Sequence, residues 1–201
     1  MSIPASCRSE FGTHGRLIPA VAGQGPDHMA FDALLLEQCQ TTNNPGPVLR
    51  SYLWEGSWLS LGRHQTPRSN QWLDLVRNGR LKMVRRPSGG GAVLHGGGLT
   101  YALIWPHPPR QRREAYRRVN AWSSSGLARL GLELHPGDDP ALAGSQNCFA
   151  SATTADLVDP LGHKRIGSAQ FWQRGHLLPH GEIPLAPSQQ LWEDVFGAAP
   201  P

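Results

Sequence analysis

The sequence predicts an α+β fold, and three observations carry that expectation. Strand-like runs and helix-period segments alternate without the regular βαβ rhythm of a parallel sheet. Glycine and proline, 23 and 18 of 201 residues, break the chain into short elements. A hydrophobic content of 39% is enough to bury a core in a chain of this length. No run of about 18 apolar residues occurs, so no membrane-spanning helix is expected. The polar start, Met1 to Thr13, lacks the apolar stretch of a secretory signal, and a cytoplasmic protein is expected.

Residues 1–14 are expected to form a flexible tail ahead of a single domain over 15–196. Asp27 can cap a helix that runs to about Cys39, with Met29, Ala30, Ala33 and Leu34 on one face. Asn43-Asn44-Pro45-Gly46-Pro47 stops it. Val48 to Trp54 and Trp58 to Leu61 read as two strands of a hairpin around Glu55-Gly56-Ser57. Asn70 to Arg77 reads as a short helix closed by Asn78-Gly79. Strands follow at Leu81–Arg86 and Leu99–Trp105. Arg112 to Leu130 has helical period, with Val119, Trp122, Leu127 and Leu130 as its apolar face. A Gly-, Asp- and Pro-rich loop then leads to strands at Asp156–Val158 and Lys164–Trp172, joined by the turn Asp159-Pro160-Leu161-Gly162. His180–Leu185 is a further strand, and Ser188 caps a last helix, Leu191–Phe196. There is no internal repeat and no interdomain linker, and no C-terminal accessory domain is expected.

The net charge of +4 and the pI near 9.3 favour an acidic partner, and no Lys–aromatic interleaving marks a nucleic-acid site. Three cysteines, Cys7, Cys39 and Cys148, form neither a disulfide framework nor a CxxC pair, so no metal site is expected. Residues 110–118 hold five arginines. They read either as a solvated helix face or as a docking patch for an acidic carrier domain.

The most informative stretch is Arg85-Arg86-Pro87-Ser88-Gly89-Gly90-Gly91-Ala92-Val93-Leu94-His95. Three successive glycines allow close backbone approach and positive φ, and two arginines precede them that can hold a carboxylate or phosphate. No Gly-Lys-Ser/Thr follows, so it is not a P-loop.

This segment resembles the Arg-Arg-x-x-Gly-Gly-Gly-x-Val-x-His signature of lipoate–protein ligases and the related octanoyltransferases. Other stretches agree in order: Asp27 to Asp32, Leu49 to Trp54 with Leu59 to Gln65, Lys164-Arg165-Ile166-Gly167-Ser168-Ala169-Gln170, and His180-Gly181. The resemblance spans roughly residues 15–196. It implies the biotin/lipoate ligase catalytic fold, related to class II synthetases: a mixed, largely antiparallel sheet flanked by helices. It also implies a tunnel for an eight-carbon chain. By similarity, Arg86, Ser88, Gly89, Gly90, Gly91, His95, Gly167, Ser168, Ala169 and His180 bind the acyl substrate.

Two chemistries share that fold. Ligases activate a free acid with ATP as an acyl-adenylate; transferases take an acyl thioester and hold it on a cysteine. Gln146-Asn147-Cys148-Phe149 resembles the Cys-Phe of octanoyltransferases whose nucleophile precedes the Lys strand. Cys148 reads either as that nucleophile or as an inert buried thiol. Lys164 serves both chemistries, as a cation beside a thiolate or oxyanion, or as the group that holds an adenylate. His95 reads as a pocket residue or as a core histidine. Gly96 follows His95 where ligases often carry an acidic residue, which counts against metal-ATP binding. The resemblance therefore implies an octanoyltransferase using Cys148 and Lys164, without cofactor. Its donor would be octanoyl–acyl carrier protein. Its acceptors would be lipoyl-domain proteins such as the glycine cleavage H protein or E2 subunits. Nucleic acid and membrane are not expected partners, and a monomer is the default. The competing readings are a lipoate ligase needing ATP and Mg2+, and a non-catalytic acyl-binding module.

Overall fold

The computed structural model describes residues 14–67, 69–140 and 146–201. Cys7 and all but the last residue of the expected tail lie outside these. The elements run β1 (Arg16–Gly23), α1 (Gly25–Thr41), β2 (Val48–Trp54), β3 (Trp58–Leu61), α2 (Asn70–Arg77), β4 (Lys82–Arg85), β5 (Val93–His95), β6 (Gly98–Ile104), α3 (Arg112–Ala128), β7 (His135–Pro136), β8 (Leu157–Val158), β9 (Lys164–Gln173), β10 (His176–Pro184) and α4 (Gln189–Phe196). A 3-10 turn, Cys148–Ala150, precedes β8.

Seven strands form one sheet in the order β1-β2-β6-β10-β9-β8-β7, and three form a second in the order β4-β3-β5. Only β1–β2 and β3–β4 pair in parallel. This is the mixed, largely antiparallel α+β architecture expected.

The period of two along β6 divides the large sheet into two faces. Ala102 and Ile104 pack with Leu35, Leu36 and Cys39 of α1. Tyr101, Leu103 and Trp105 pack with Ala115 and Val119 of α3. On the small sheet, Leu59, Leu61 and Leu94 meet Trp72, Leu75, Leu191, Trp192 and Val195 of α2 and α4.

Several expectations are corrected. β2 and β3 are consecutive but do not form a hairpin. β2 pairs with β1 and β6, and β3 with β4 and β5, so Glu55-Gly56-Ser57 carries the chain from one sheet to the other. Asp27 lies inside the first turn of α1, whose N-cap is Gln24 with Pro26 just within. The inward face of α1 is His28, Asp32, Leu35, Leu36 and Cys39, whereas Ala30, Ala33 and Leu34 are exposed and Met29 is half-buried. That face begins with polar residues because Arg50 of β2 is buried against them, donating to Asp32 at 2.7 Å and meeting His28 Nδ1 at 3.0 Å. Leu130 is exposed beyond the end of α3. β10 begins at His176, since Arg174 and Gly175 at positive φ close a two-residue hairpin with β9. The strands β1, β5 and β7 were not read from the sequence.

Candidate active site

The site is assembled where the small sheet, the β9–β10 hairpin and the Cys148 turn converge. Between β4 and β5 the glycine run folds back, with Gly90 at φ +94°. Here glycine is required by proximity: a Cβ on Gly91 would sit 2.9 Å from the Cys148 amide nitrogen. That space lets two backbones pair. Ala92 N–H donates to Gln146 O at 2.6 Å, and Cys148 N–H donates to Ala92 O at 2.9 Å. The amides of Gly89, Gly90 and Gly91 donate to no group among the described residues.

Neither arginine of the signature holds a carboxylate. Arg85 donates to the carbonyls of Gly62, Arg63 and Gln65. Arg86, 5% exposed, spends all five N–H groups on neutral oxygens. Nε donates to Ser88 Oγ at 3.2 Å, Nη1 to Ser60 O at 2.8 Å and Ser60 Oγ at 3.3 Å. Nη2 donates to Gly89 O at 2.8 Å and Gly91 O at 2.6 Å. Burial pushes this guanidinium down, and attraction to the Cys148 sulfur opposes that shift. Among the described residues, no carboxylate pairs with this buried cation.

Lys164 opens β9 and is equally buried. Its ammonium donates to Cys148 O at 2.6 Å and Ser151 O at 3.0 Å, and pairs with Asp156 Oδ2 at 3.0 Å. Three acceptors fill its three donor positions. The lysine thereby staples the Cys148 turn by its carbonyls, rather than donating to the sulfur. Asp156 is held in turn by the amides of Thr153 at 2.9 Å and Ser168 at 3.1 Å.

His95 and His180 differ. His95 engages Glu182 Oε2 through Nδ1 at 2.8 Å and Ser60 Oγ through Nε2 at 2.8 Å, and stacks on Trp54 with ring centroids 4.0 Å apart. Thr100 donates to the same Glu182 oxygen. His180 shares a hydrogen bond with Ser88 Oγ at 2.6 Å. Burial, then the nearby charges of Arg86 and His95, pushes the His180 imidazole down to about 3, so it is neutral at pH 7.

Two cavities meet at this point. The inner one is narrow, lined chiefly by apolar surface, and runs from Cys148, Gly167 and Ala169 past Arg86, His95 and His180 to Thr100, Tyr52, Trp54 and Met29. The outer one is an open groove of about 920 Å3, with Gly89, Gly90, Gly91, Lys164 and Cys148 on one side and Arg112 and Tyr116 of α3 on the other. Cys148, Ser168 and Ala169 border both. Ser168 Oγ is hydrogen-bonded to Tyr101 Oη at 2.9 Å, whereas the Cys148 thiol is in no disulfide and lies at the junction. Of the residues expected from sequence, only Ser88 borders neither cavity; it is buried behind Arg86 and His180. Asp156, Glu182, Tyr116, Trp54 and Met29 were not anticipated. The separation of His95 from Glu182 is 87 residues, and nothing local in either segment announces the pair.

The comparisons with known proteins agree with this geometry. Residues 24–199 match the model of the lipoyl protein ligase A/B catalytic domain. Octanoyltransferase LipM of Lysinibacillus sphaericus is 36% identical over 181 residues, covering 84% of this chain and 65% of the relative. Octanoyltransferase LipM of Bacillus subtilis is 34% identical, covering 84% and 64%. The chain thus spans slightly under two thirds of the length of these curated relatives. Among solved structures, lipoate-protein ligase A bound with ATP superposes with a TM-score of 0.75 at 21% identity, covering 90% of this chain and 70% of that one. The bipartite lipoate protein ligase of Thermoplasma acidophilum, described with its E2 lipoyl domain, gives 0.69 at 22% identity, covering 90% and 65%. At these identities the structural matches establish the fold, while the family match covers every strand but β1, together with the glycine run and the Cys148 turn. On that evidence, this chain belongs to the lipoyl protein ligase A/B catalytic domain family.

Proposed function

We propose that this protein, through the unit spanning residues 15–196, moves an octanoyl group from acyl carrier protein to a lysine of a lipoyl-domain protein through a thioester on Cys148. The observation that carries this reading is the position of the thiol, at the junction of a cavity lined chiefly by apolar surface and a more polar groove. A nucleophile there can reach a carbonyl whose alkyl chain is buried and whose leaving group is in solvent. The octanoyltransferase names of the curated relatives support the same reading.

In the first half-reaction the Cys148 thiolate attacks the thioester carbonyl. The bond from the acyl carbon to the donor sulfur breaks, and that sulfur leaves as a thiol with the proton given up by Cys148. In the second, a lysine amine of the acceptor attacks the acyl-cysteine. The C–N bond forms, the C–S bond breaks, and the amine's proton returns the thiol. Thioester exchange is close to isoenergetic and amide formation is downhill, so no nucleotide is required. The buried Arg86 charge favours the oxyanion, and the amides of Gly89 to Gly91, which donate to no group among the described residues, are available to it. Lys164 and Asp156 hold the turn that carries the nucleophile. Gly167, Ala169, His95 and His180 shape the chain's path; neutral His180 does so without placing a second charge beside the alkyl group.

The test is intact mass after incubation with octanoyl–acyl carrier protein without ATP. One octanoyl adduct is expected, removable by hydroxylamine and absent from Cys148→Ala. If no adduct forms, and a lipoyl domain is modified only when ATP and free octanoate or lipoate are supplied, the protein is a ligase and Cys148 a bystander.

A further inference from the structure

The groove outside Cys148 carries a feature that acyl transfer alone does not use. Arg112 lies on its wall, is exposed, and makes no hydrogen bond or ion pair among the described residues. Its charge nonetheless acts on the groove: it pulls down the Tyr116 phenol, which burial pushes up. The other groove cation, Lys164, is matched by Asp156 at 3.0 Å. Farther along α3, Arg117 and Arg118 are tied to Glu114 at 2.7 and 2.8 Å. Two of the five arginines in 110–118 are therefore paired within the helix, and Arg112 is the one on the groove wall whose charge is unmatched.

We infer that Arg112 binds the phosphate of a phosphopantetheine arm, and that the groove is the seat of this thiol half of the acyl donor. The inference rests on the transferase reading above. With the alkyl chain in the apolar cavity, the donor sulfur and everything attached to it lie in the groove. The groove walls present amide-compatible groups, among them Gln170 and the glycine amides that donate to nothing among the described residues, which suit an arm built from two amides. A phosphate at the end of that arm finds a guanidinium able to bind it bidentately. During transfer only the acyl carbon–sulfur bond is exchanged for a bond to Cys148 Sγ, the arm's sulfur departs with the Cys148 proton, and the phosphate is a handle that does not react.

The experiment times acylation of Cys148 by intact mass with S-octanoyl-4′-phosphopantetheine and S-octanoylpantetheine, which differ only in the phosphate. Octanoyl–coenzyme A and octanoyl–acyl carrier protein serve as the two bearers of that arm. Wild type is expected to favour the phosphorylated thioester by roughly 10- to 100-fold. Arg112→Met should erase the preference and slow the coenzyme A and carrier-protein thioesters alike. No preference in wild type, or an equal loss on both pantetheine thioesters, overturns the inference. A loss confined to the carrier protein also overturns it, because Arg112 would then contact the carrier's surface rather than the arm. If no thioester acylates Cys148, the transferase reading itself fails. The arm site is then judged by calorimetry on Cys148→Ala: 4′-phosphopantetheine must bind more tightly than pantetheine, and Arg112→Met must remove the difference, or the site does not exist.

Discussion

At the scale of single residues, the Lys164–Asp156 pair decides how Cys148 is held. Both side chains are buried, and the ammonium reaches the carbonyls on either side of the 3-10 turn. Removing one partner of a buried pair strands the other's charge, at a cost of about 3 to 5 kcal/mol. Lys164→Met and Asp156→Asn should each lower the free energy of unfolding by about that amount in urea titrations. The double variant should recover at least half of the loss, since no unpaired charge remains. Acylation of Cys148 should stay impaired in the double variant, because the carbonyls of Cys148 and Ser151 have lost their donor. Strict additivity of the two single losses would show that the residues do not act as a pair. Nothing in the sequence around Asp156 singled it out: an acidic residue at the head of a two-residue strand looks like any turn residue, and its importance arises only when β8 and β9 pair.

At the scale of elements, the glycine run and the Cys148 turn act as one unit because their backbones touch. Gly91→Ala places a methyl 2.9 Å from the Cys148 amide, and backbone cannot yield as a flexible side chain can. The turn should be displaced, with acylation of Cys148 falling at least tenfold while the thermal midpoint shifts by only a few degrees, since the contact joins two surface segments. Wild-type acylation rates in Gly91→Ala would refute the close approach. The inner cavity crosses β9, β10, β6 and β2, three strand spacings or about 14 Å, and ends at Met29 and Trp54. Met29→Ala should therefore shift the preferred thioester from eight carbons toward ten or twelve in direct competition. An unchanged profile would place the end of the chain elsewhere. Much of this was legible in the sequence. The glycine run, the Lys164 strand and the Ser188-capped α4 each carry a local pattern, and Ser188 Oγ accepts from the Leu191 amide at 3.3 Å as that pattern required. The inward face of α1 was not legible, because apolar periodicity cannot find a stripe that begins with His28 and Asp32. Nor was the separation of β2 from β3, since a three-residue link suits a hairpin and a change of sheet equally well. β1, almost wholly exposed at the sheet edge, carries no alternation to read.

At the scale of the whole molecule, the buried titratable groups set how the fold responds to acid, and two of them oppose each other. His180 titrates at about 3 in the fold against about 6.5 when unfolded. Its contribution to stability is fully present above pH 6.5 and is lost as pH falls toward 3, by up to about 1.4 kcal/mol per unit, because the unfolded chain takes up a proton that the fold refuses. Burial also lowers His28, which acts in the same sense. Asp32 runs the other way: burial, only partly offset by Arg50, raises its carboxyl to about 6. The fold then holds a proton that the unfolded chain has released, so this contribution is present at low pH and lost as pH rises through 6. Between pH 6 and 4 the Asp32 contribution offsets that of His180, which leaves the His28 contribution unopposed. Deleting one of them exposes the other. His180→Gln keeps a polar partner for Ser88 but removes the histidine titration, so the difference in unfolding free energy between wild type and variant should shrink by about 1.4 kcal/mol for each unit that pH falls across this window. The half-buried carboxylates Glu114 and Asp159, pulled down to about 2 by hydrogen bonds led by Arg117 and by the His163 amide, are common to both proteins and drop out of that difference. Urea titrations at pH 4, 5, 6 and 7 read it directly: parallel curves would mean that His180 takes up a proton inside the fold as readily as in the unfolded chain, and that the inner cavity gains a charge once pH falls below about 6.5.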